Sequence, residues 1–326
     1  MRRYVVIGAS TGGIAALNTI LSGLARDFPA PIMVVQHIGA YQSILPEVLG
    51  HNSPLTIAHA ADGDEILPGH VMIAPPDHHM VVGGDGRINI YRGPQENYAR
   101  PAIDPLFRSA ALRWQSAVIG VLLSGQLDDG TAGLQAIKRR GGYAIVQDPA
   151  DAIAPSMPES ALRHAAVDLT LPVNAIAKAL AELLARPEVE APKPADDLLA
   201  DEHLLHLGRG DHLEQLRALG QASGLTCPAC GGGLWAVRDS WPARYRCHTG
   251  HGFSARTLDA AMRSATEERL WAALRAIQEQ SAIYRQEAPR LRADRKEELI
   301  VAVERLDALA RLLRDLIESM PDLYGE

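Results

Sequence analysis

Three short stretches of this 326-residue sequence carry residue types suited to acyl transfer. Ser10 sits in Gly8-Ala9-Ser10-Thr11-Gly12, directly after the strand-like run "YVVIGA". Glycines on both sides of a serine at a strand-to-helix switch allow a sharp turn that lifts the hydroxyl clear of the sheet edge. The helix that follows offers free N–H groups for a developing oxyanion. His37 ends a second apolar run, "IMVVQH", and is the best-placed base. Asp128 and Asp129 follow a third, "VIGVLLSGQ", and either could orient an imidazole. A second constellation lies far downstream: Cys227 and Cys230 in Cys-x-x-Cys spacing, then Cys247 with His248 and His251 close behind. Two thiolates on one knuckle and a Cys plus a His on another make the ligand set of a tetrahedral zinc site. His251 is the preferred fourth ligand, because three intervening residues let its side chain turn back where His248 would be strained. Four protein ligands leave no open position, so such a site is structural.

The serine, histidine and aspartates act together only if their strands are parallel and end on one rim. The sequence favours that arrangement. Strand patterns at 3–7, 32–36, 70–74, 117–123 and 143–147 alternate with helical patterns at 14–24, 43–49, 104–114, 132–140 and 173–184. Such alternation implies βαβ units, an α/β fold and a mainly parallel sheet covered on both faces. The stretch "HHMVVGGDGRINIY" reads instead as a β-hairpin at the sheet edge. Residues 186–202, with three prolines and an acidic cluster, have linker composition. Beyond them come a helical stretch and the cysteine module (203–254), then a helical hairpin (255–326). In the hairpin Leu270, Ala273, Leu274 and Ile277, then Leu299, Val303, Leu306 and Leu309, fall at helical spacing. Trp235, Trp241 and Phe253 are expected to pack around the small metal core.

A glycine turn between strand and helix also suits a phosphate, so a dinucleotide site is the rival use of residues 8–13. Three features oppose it. Position 14, where a third glycine is wanted, is Ile14; the second strand ends in Gln36 and His37 rather than in an acid for a ribose hydroxyl; and no tyrosine has a lysine four residues later.

Composition narrows the class further. The net charge of −7 includes no basic half, which argues against nucleic-acid binding. No cationic, apolar leader opens the sequence, and no apolar run approaches the roughly 18–20 residues of a membrane helix. The chain is therefore expected to be cytoplasmic, without membrane insertion. Three cysteines confined to 227–247 speak for metal or thiol chemistry rather than a disulfide framework.

The segments "VVIGASTGG", "VVQHI", "DGDEILPGHVMIAPPDHHM", "RPAIDPLFRSAA", "LLSGQLDDGTAGL" and "MPESALRHAAVD" occur in the order found in the bacterial chemotaxis protein-glutamate methylesterases (CheB-type). Residues 1–185 resemble the catalytic domain of that family. The resemblance implies a doubly wound sheet and a Ser-His-Asp triad in that chain order: Ser10 as nucleophile, His37 as general base and acid, Asp129 as orienting carboxylate. Asp129 rather than Asp128 matches, because the family's aspartate directly precedes the glycine corresponding to Gly130. It also implies an oxyanion hole of backbone N–H groups at Thr11 and Gln126. There this sequence departs from the commonest family form: Gln126-Leu127 stands where Met-Gly is usual, and Leu127 has fewer backbone conformations open to it than glycine. The implied reaction is hydrolysis of glutamyl methyl esters on a methylated chemoreceptor or similar helical signalling protein, and in some members deamidation of glutamine, with no catalytic cofactor. The alternative is a non-catalytic scaffold that keeps the fold.

Members of that family often carry an N-terminal receiver domain, for which this sequence is expected to have no room; the site would then be constitutively open, or controlled by a separate regulatory protein or by the C-terminal extension. The helical hairpin is either a self-contained packing unit or a docking surface for a helical partner.

Overall fold

In the computed structural model, residues 3–186 and 198–320 are described. The esterase-like part runs β1 (Tyr4–Ala9), α1 (Gly13–Ser22), β2 (Ile32–Gln36), α2 (Leu45–Gly50), β3 (Thr56–His59), β4 (His70–Ile73), β5 (His79–Val82), β6 (Ile88–Tyr91), α3 (Ile103–Trp114), β7 (Val118–Leu122), α4 (Thr131–Arg139), β8 (Tyr143–Gln147), α5 (Ser156–His164), β9 (Leu169–Leu171) and α6 (Val173–Leu184). Seven strands form one sheet in the order β3-β4-β2-β1-β7-β8-β9, every pair parallel. The chain winds from β1 toward β2 on one side and later toward β7 on the other, so the winding reverses beside β1. In open α/β sheets, sites form outside the carboxyl ends of the strands at such a switch point.

Strand period two divides the apolar residues between two cores. Val5, Ile7, Val34, Val121 and Ile145 face α1 and α6; Val6, Val35, Leu122 and Val146 face α3, α4 and α5. The expected hairpin forms as β5 and β6, but as a separate two-stranded sheet rather than at the edge of the main one. Met80, Val82 and Ile88 are apolar and fully buried, and they join the core on the α3 face instead of extending a ladder. Two edge strands, β3 and β9, and helix α5 lie where no element is expected from the sequence; β3 alternates between exposed and half-buried residues, and β9 is three residues long.

Of the expected linker, residues 187–197 lie outside the described residues, and residues 198–202 are already helix. The extension continues as α7 (Leu198–His206), α8 (His212–Leu219), β10 (Gly220–Thr226), β11 (Gly233–Val237), β12 (Arg244–Cys247) and β13 (Gly252–Ser254). Asp211 caps α8, its side chain accepting from Leu213 N and Glu214 N. The four strands make an antiparallel sheet in sequence order. Residues up to Leu258 form one unit with the esterase-like part; a second unit begins at Asp259. That second unit holds most of α9 (Ala255–Glu287) and α10 (Ala293–Glu318), joined by a 3-10 turn and tied by Ser281 Oγ donating to Asp307 (2.8 Å) and by Arg285 paired with the same carboxylate. Among the described residues no helix is long and apolar enough to cross a membrane.

Candidate active site

Ser10 follows β1, His37 follows β2, and Asp129 lies in the loop after β7, so three adjacent parallel strands deliver three residues to one rim. The backbone is pinned there. Ser10 N donates to Ser124 O (2.9 Å) and His37 N to Ala9 O (2.9 Å), while Gln36 Nε2 donates to Ser10 O (2.9 Å) and His37 O (3.0 Å). Gln36, where a dinucleotide site would place an acid, thus locks two strand ends together. Gly12 caps α1 with φ +78, and a Cβ there would meet Ile153 at 2.6 Å and Ser124 Oγ at 2.8 Å, so only glycine makes this turn.

His37 Nδ1 lies 3.1 Å from Ser10 Oγ, and His37 Nε2 lies 2.8 Å from Asp129 Oδ2. The imidazole is one-fifth exposed and Asp129 is buried. A neutral ring that donates from Nε2 to Asp129 presents its Nδ1 lone pair to the serine hydroxyl. Asp129 also accepts from Ile103 N (2.6 Å), Asp104 N (3.2 Å), Gly130 N (3.0 Å) and Asn97 Nδ2 (2.7 Å). Asp128 points elsewhere, accepting from Ser254 Oγ (2.7 Å), and burial raises its carboxyl above the ordinary value. Of the two aspartates, only Asp129 lies within hydrogen-bond distance of His37. Asn97, unmarked in the sequence, donates to Asp129 and to Asp104 (2.8 Å) at once. Burial, with Asp129 and Glu96 nearby, pushes the Asp104 carboxyl well above its usual range.

The N–H groups of Thr11 and Gln126 have no hydrogen-bond partner among the described residues. Both residues are exposed, on the turns that follow β1 and β7. Leu127 adopts φ +62, the left-handed region where a side chain costs about 1–2 kcal/mol. Glycine has no such penalty but loses more freedom on folding. Leu127→Gly is accordingly expected to raise the unfolding free energy from urea denaturation by about 0.5 kcal/mol, and a lowered value would show that the leucine side chain outweighs the strain. Ser10, His37 and Asp129 line a cleft of about 440 Å³ whose walls also include Ile38, Tyr98, Arg100, Leu127 and Thr257.

A model of the CheB methylesterase family matches residues 5–180. The chain belongs to that family. At 41% identity over 183 residues it resembles a protein-glutamate methylesterase/protein-glutamine glutaminase of Geobacter metallireducens, covering 56% of this chain and 53% of the relative. A putative member from Leptospira interrogans is 40% identical over 53% of this chain and 91% of its own length. The CheB methylesterase catalytic domain of Thermotoga maritima superposes with a TM-score of 0.54 at 37% identity, covering 56% of this chain and 99% of that structure. The chain spans about half the length of most of the curated relatives it matches.

The extension beyond the CheB methylesterase match holds the second constellation. Ligand atoms of Cys227, Cys230, Cys247 and His251 all lie within 4.8 Å of one another. Cys230 Sγ and Cys247 Sγ are 3.8 Å apart, and Cys247 Sγ is 3.5 Å from His251 Nδ1. A tetrahedral zinc with bonds of about 2.3 Å to sulfur spaces its sulfurs by about 3.8 Å, so the donor set fits the ion. Burial pushes the Cys227 thiol up to about 12, a cost that a bound cation would remove. Thr249 Oγ1 lies 3.0–3.2 Å from Cys230, Cys247 and His251, capping one face. Of the three aromatics expected around this core, Phe253 is buried and Trp235 packs on Leu205, Leu216 and Leu219. Trp241 is 71% exposed and meets the edge of His164 instead, because the turn after β11 carries it away from the cysteines.

A buried ion network joins extension and esterase part. Arg108 of α3 grips Glu96 with two 2.9 Å bonds; Arg246 of β12 contacts Glu96 and also holds Glu202 of α7 from Nε (2.9 Å) and Nη2 (2.7 Å); Arg244 adds a 2.7 Å bond to Glu202, and His206 Nδ1 is 3.0 Å from Glu96. Burial alone would raise the Glu96 carboxyl, but Arg108, Arg246 and His206 more than offset it and hold it well below the usual range. Glu202 is lowered in the same way by Arg244 and Arg246 against its burial. This network was illegible in the sequence, where Glu202 belongs to an acidic, linker-like stretch.

Proposed function

We propose that this protein is a serine esterase that removes methyl groups from glutamyl side chains of a helical, chemoreceptor-like signalling protein. The observation that carries the reading is the continuous hydrogen-bonded line Ser10–His37–Asp129. Ser10 Oγ attacks the γ-carbonyl carbon as its proton passes to His37 Nδ1. Asp129, fixed by four further donors, holds the ring and stabilises the imidazolium. The oxyanion is taken by the Thr11 and Gln126 N–H groups. His37 returns the proton to the methoxy oxygen and methanol leaves; water, activated in turn by His37, then releases glutamate and regenerates the serine. Glutamine deamidation follows the same course, with ammonia as the leaving group. A scaffold role explains neither the alignment of the imidazole with the hydroxyl nor the free donors beside it. Release of methanol from a methyl-esterified receptor fragment, absent for the same fragment without methyl groups, tests the proposal.

We further infer that Cys227, Cys230, Cys247 and His251 hold one structural zinc, supported by their spacing and charge demand. Protein purified without chelators is expected to carry one zinc per chain, and Cys247→Ser to reduce that content well below half. Metal-free protein from such a preparation would overturn the assignment.

A further inference from the structure

The strand that follows the last proposed zinc ligand, His251, connects to Asp129 through Asn97. Cys247 N donates to His251 O (3.1 Å), and β13 begins one residue later, pairing with β12 on one side. Its other side is taken by the loop that carries Asn97: Asn97 N donates to Gly252 O (2.8 Å) and Gly252 N to Gln95 O (3.3 Å). Ser254 N then donates to Asn97 Oδ1 (3.1 Å), while Asn97 Nδ2 donates to Asp129 Oδ1 (2.7 Å). Asn97 is nine-tenths buried at φ +52, a left-handed conformation that asparagine tolerates. One amide therefore has its oxygen on the extension and its nitrogen on the triad.

Two more links grip the same catalytic loop. Ser254 Oγ donates to Asp128 Oδ1 (2.7 Å), next to Asp129. Arg256 Nη2 donates to Ser156 Oγ (3.1 Å), which donates to Leu127 O (3.0 Å), next to Gln126. Residues 127 and 128 are thus tied to residues 254–256, Leu127 through Ser156 and Asp128 directly, and residues 254–256 lie within five positions of His251. Leu127 has the strained backbone of that loop, so the loop depends on outside contacts to keep its shape.

We propose that the cysteine module is a metal-dependent brace for the esterase site, with Asn97 as the positioning residue that transmits its state to Asp129. Metal at Cys227, Cys230, Cys247 and His251 fixes the turn at 247–251 and hence the register of β13. β13 sets Asn97, and Asn97 sets the carboxylate that orients His37. Loss of the metal releases β13 and lets the 126–129 loop relax. This rests on the serine-esterase and zinc readings above.

The test measures the rate at which a fluorophosphonate labels Ser10 in the full chain: with its metal, after chelation, and after zinc is returned, for the wild type and for Asn97→Gly. Glycine keeps the positive φ and removes only the amide. In the wild type, chelation is expected to slow labelling about 10- to 100-fold, the range for a misplaced catalytic group, and zinc to restore it. In Asn97→Gly labelling is expected to be slow already and to respond little to the metal, because the link is gone. With the metallated variant acting on methylated receptor, kcat should fall by a similar factor while KM stays within roughly two-fold. Labelling that ignores chelation in the wild type overturns the brace. An equal drop on chelation in both proteins overturns the Asn97 route. Absence of labelling in the metallated wild type instead rejects the esterase reading itself. If chelation abolishes the cooperative melt, the metallated Asn97→Gly protein decides alone: unchanged kcat overturns the proposal.

Discussion

Ser10→Ala is expected to abolish methyl-ester hydrolysis, lowering kcat by about a million-fold as for other serine triads, while thermal unfolding stays within a degree or two of the wild type. The two halves of that expectation have separate origins. The serine backbone, not its hydroxyl, carries the structural bonds: Ser10 N to Ser124 O, and Gln36 Nε2 and Gly13 N to Ser10 O. Among the described residues the hydroxyl is hydrogen-bonded only to His37. Its removal would take away the proposed nucleophile and leave the turn. Methanol release from a methylated receptor fragment measures the first effect and a calorimetric melt the second. Appreciable turnover by the variant would reject Ser10 as the nucleophile.

Arg246→Ala is expected to cost about 3–5 kcal/mol in urea denaturation of the full chain, the range for breaking a buried ion pair from one side. Arg246 is buried and stands between Glu96 and Glu202, so its loss leaves two buried carboxylates sharing Arg108, with Arg244 reaching only Glu202. Arg246→Lys should recover little of this, because an ammonium cannot repeat the forked contact to two carboxylates. The exposed Arg163–Glu159 pair supplies the contrast: removing it should cost about 0.5 kcal/mol or less. An Arg246→Ala cost equally small would mean that water reaches the network.

The parts of the fold that sequence made legible are those with a strong local signal. β1, β2, β7 and β8 are buried on both faces, and their unbroken apolar runs locate them to within one or two residues. β3 has no fully buried residue and β9 has only three residues, so neither presents a pattern. The hairpin was visible from its turn, but its docking on α3 depends on tertiary packing that no local rule encodes. Ser10, His37 and the Asp128-Asp129 pair stood out because each follows a strand, with Asp129 singled out only by the family resemblance, and the cysteines because of their spacing. Asn97 and Glu202 did not. Asn97 occupies a polar loop and acts on a residue 32 positions away. Glu202 carries a charge that composition assigns to solvent, and only arginines more than 40 residues distant make its burial affordable.

The arrangement of β1 between β2 and β7 bears on when the proposed site can form. Residues 10, 37 and 129 share a rim only after three strands have joined, the last of them more than a hundred residues downstream of the first. Long-range parallel pairing is slow to form. A nascent or partly unfolded chain therefore carries an ordinary, unreactive serine. On the proposed esterase reading, hydrolytic competence would arrive only once β1 has joined β2 and β7, and would be lost when β1 and β7 separate.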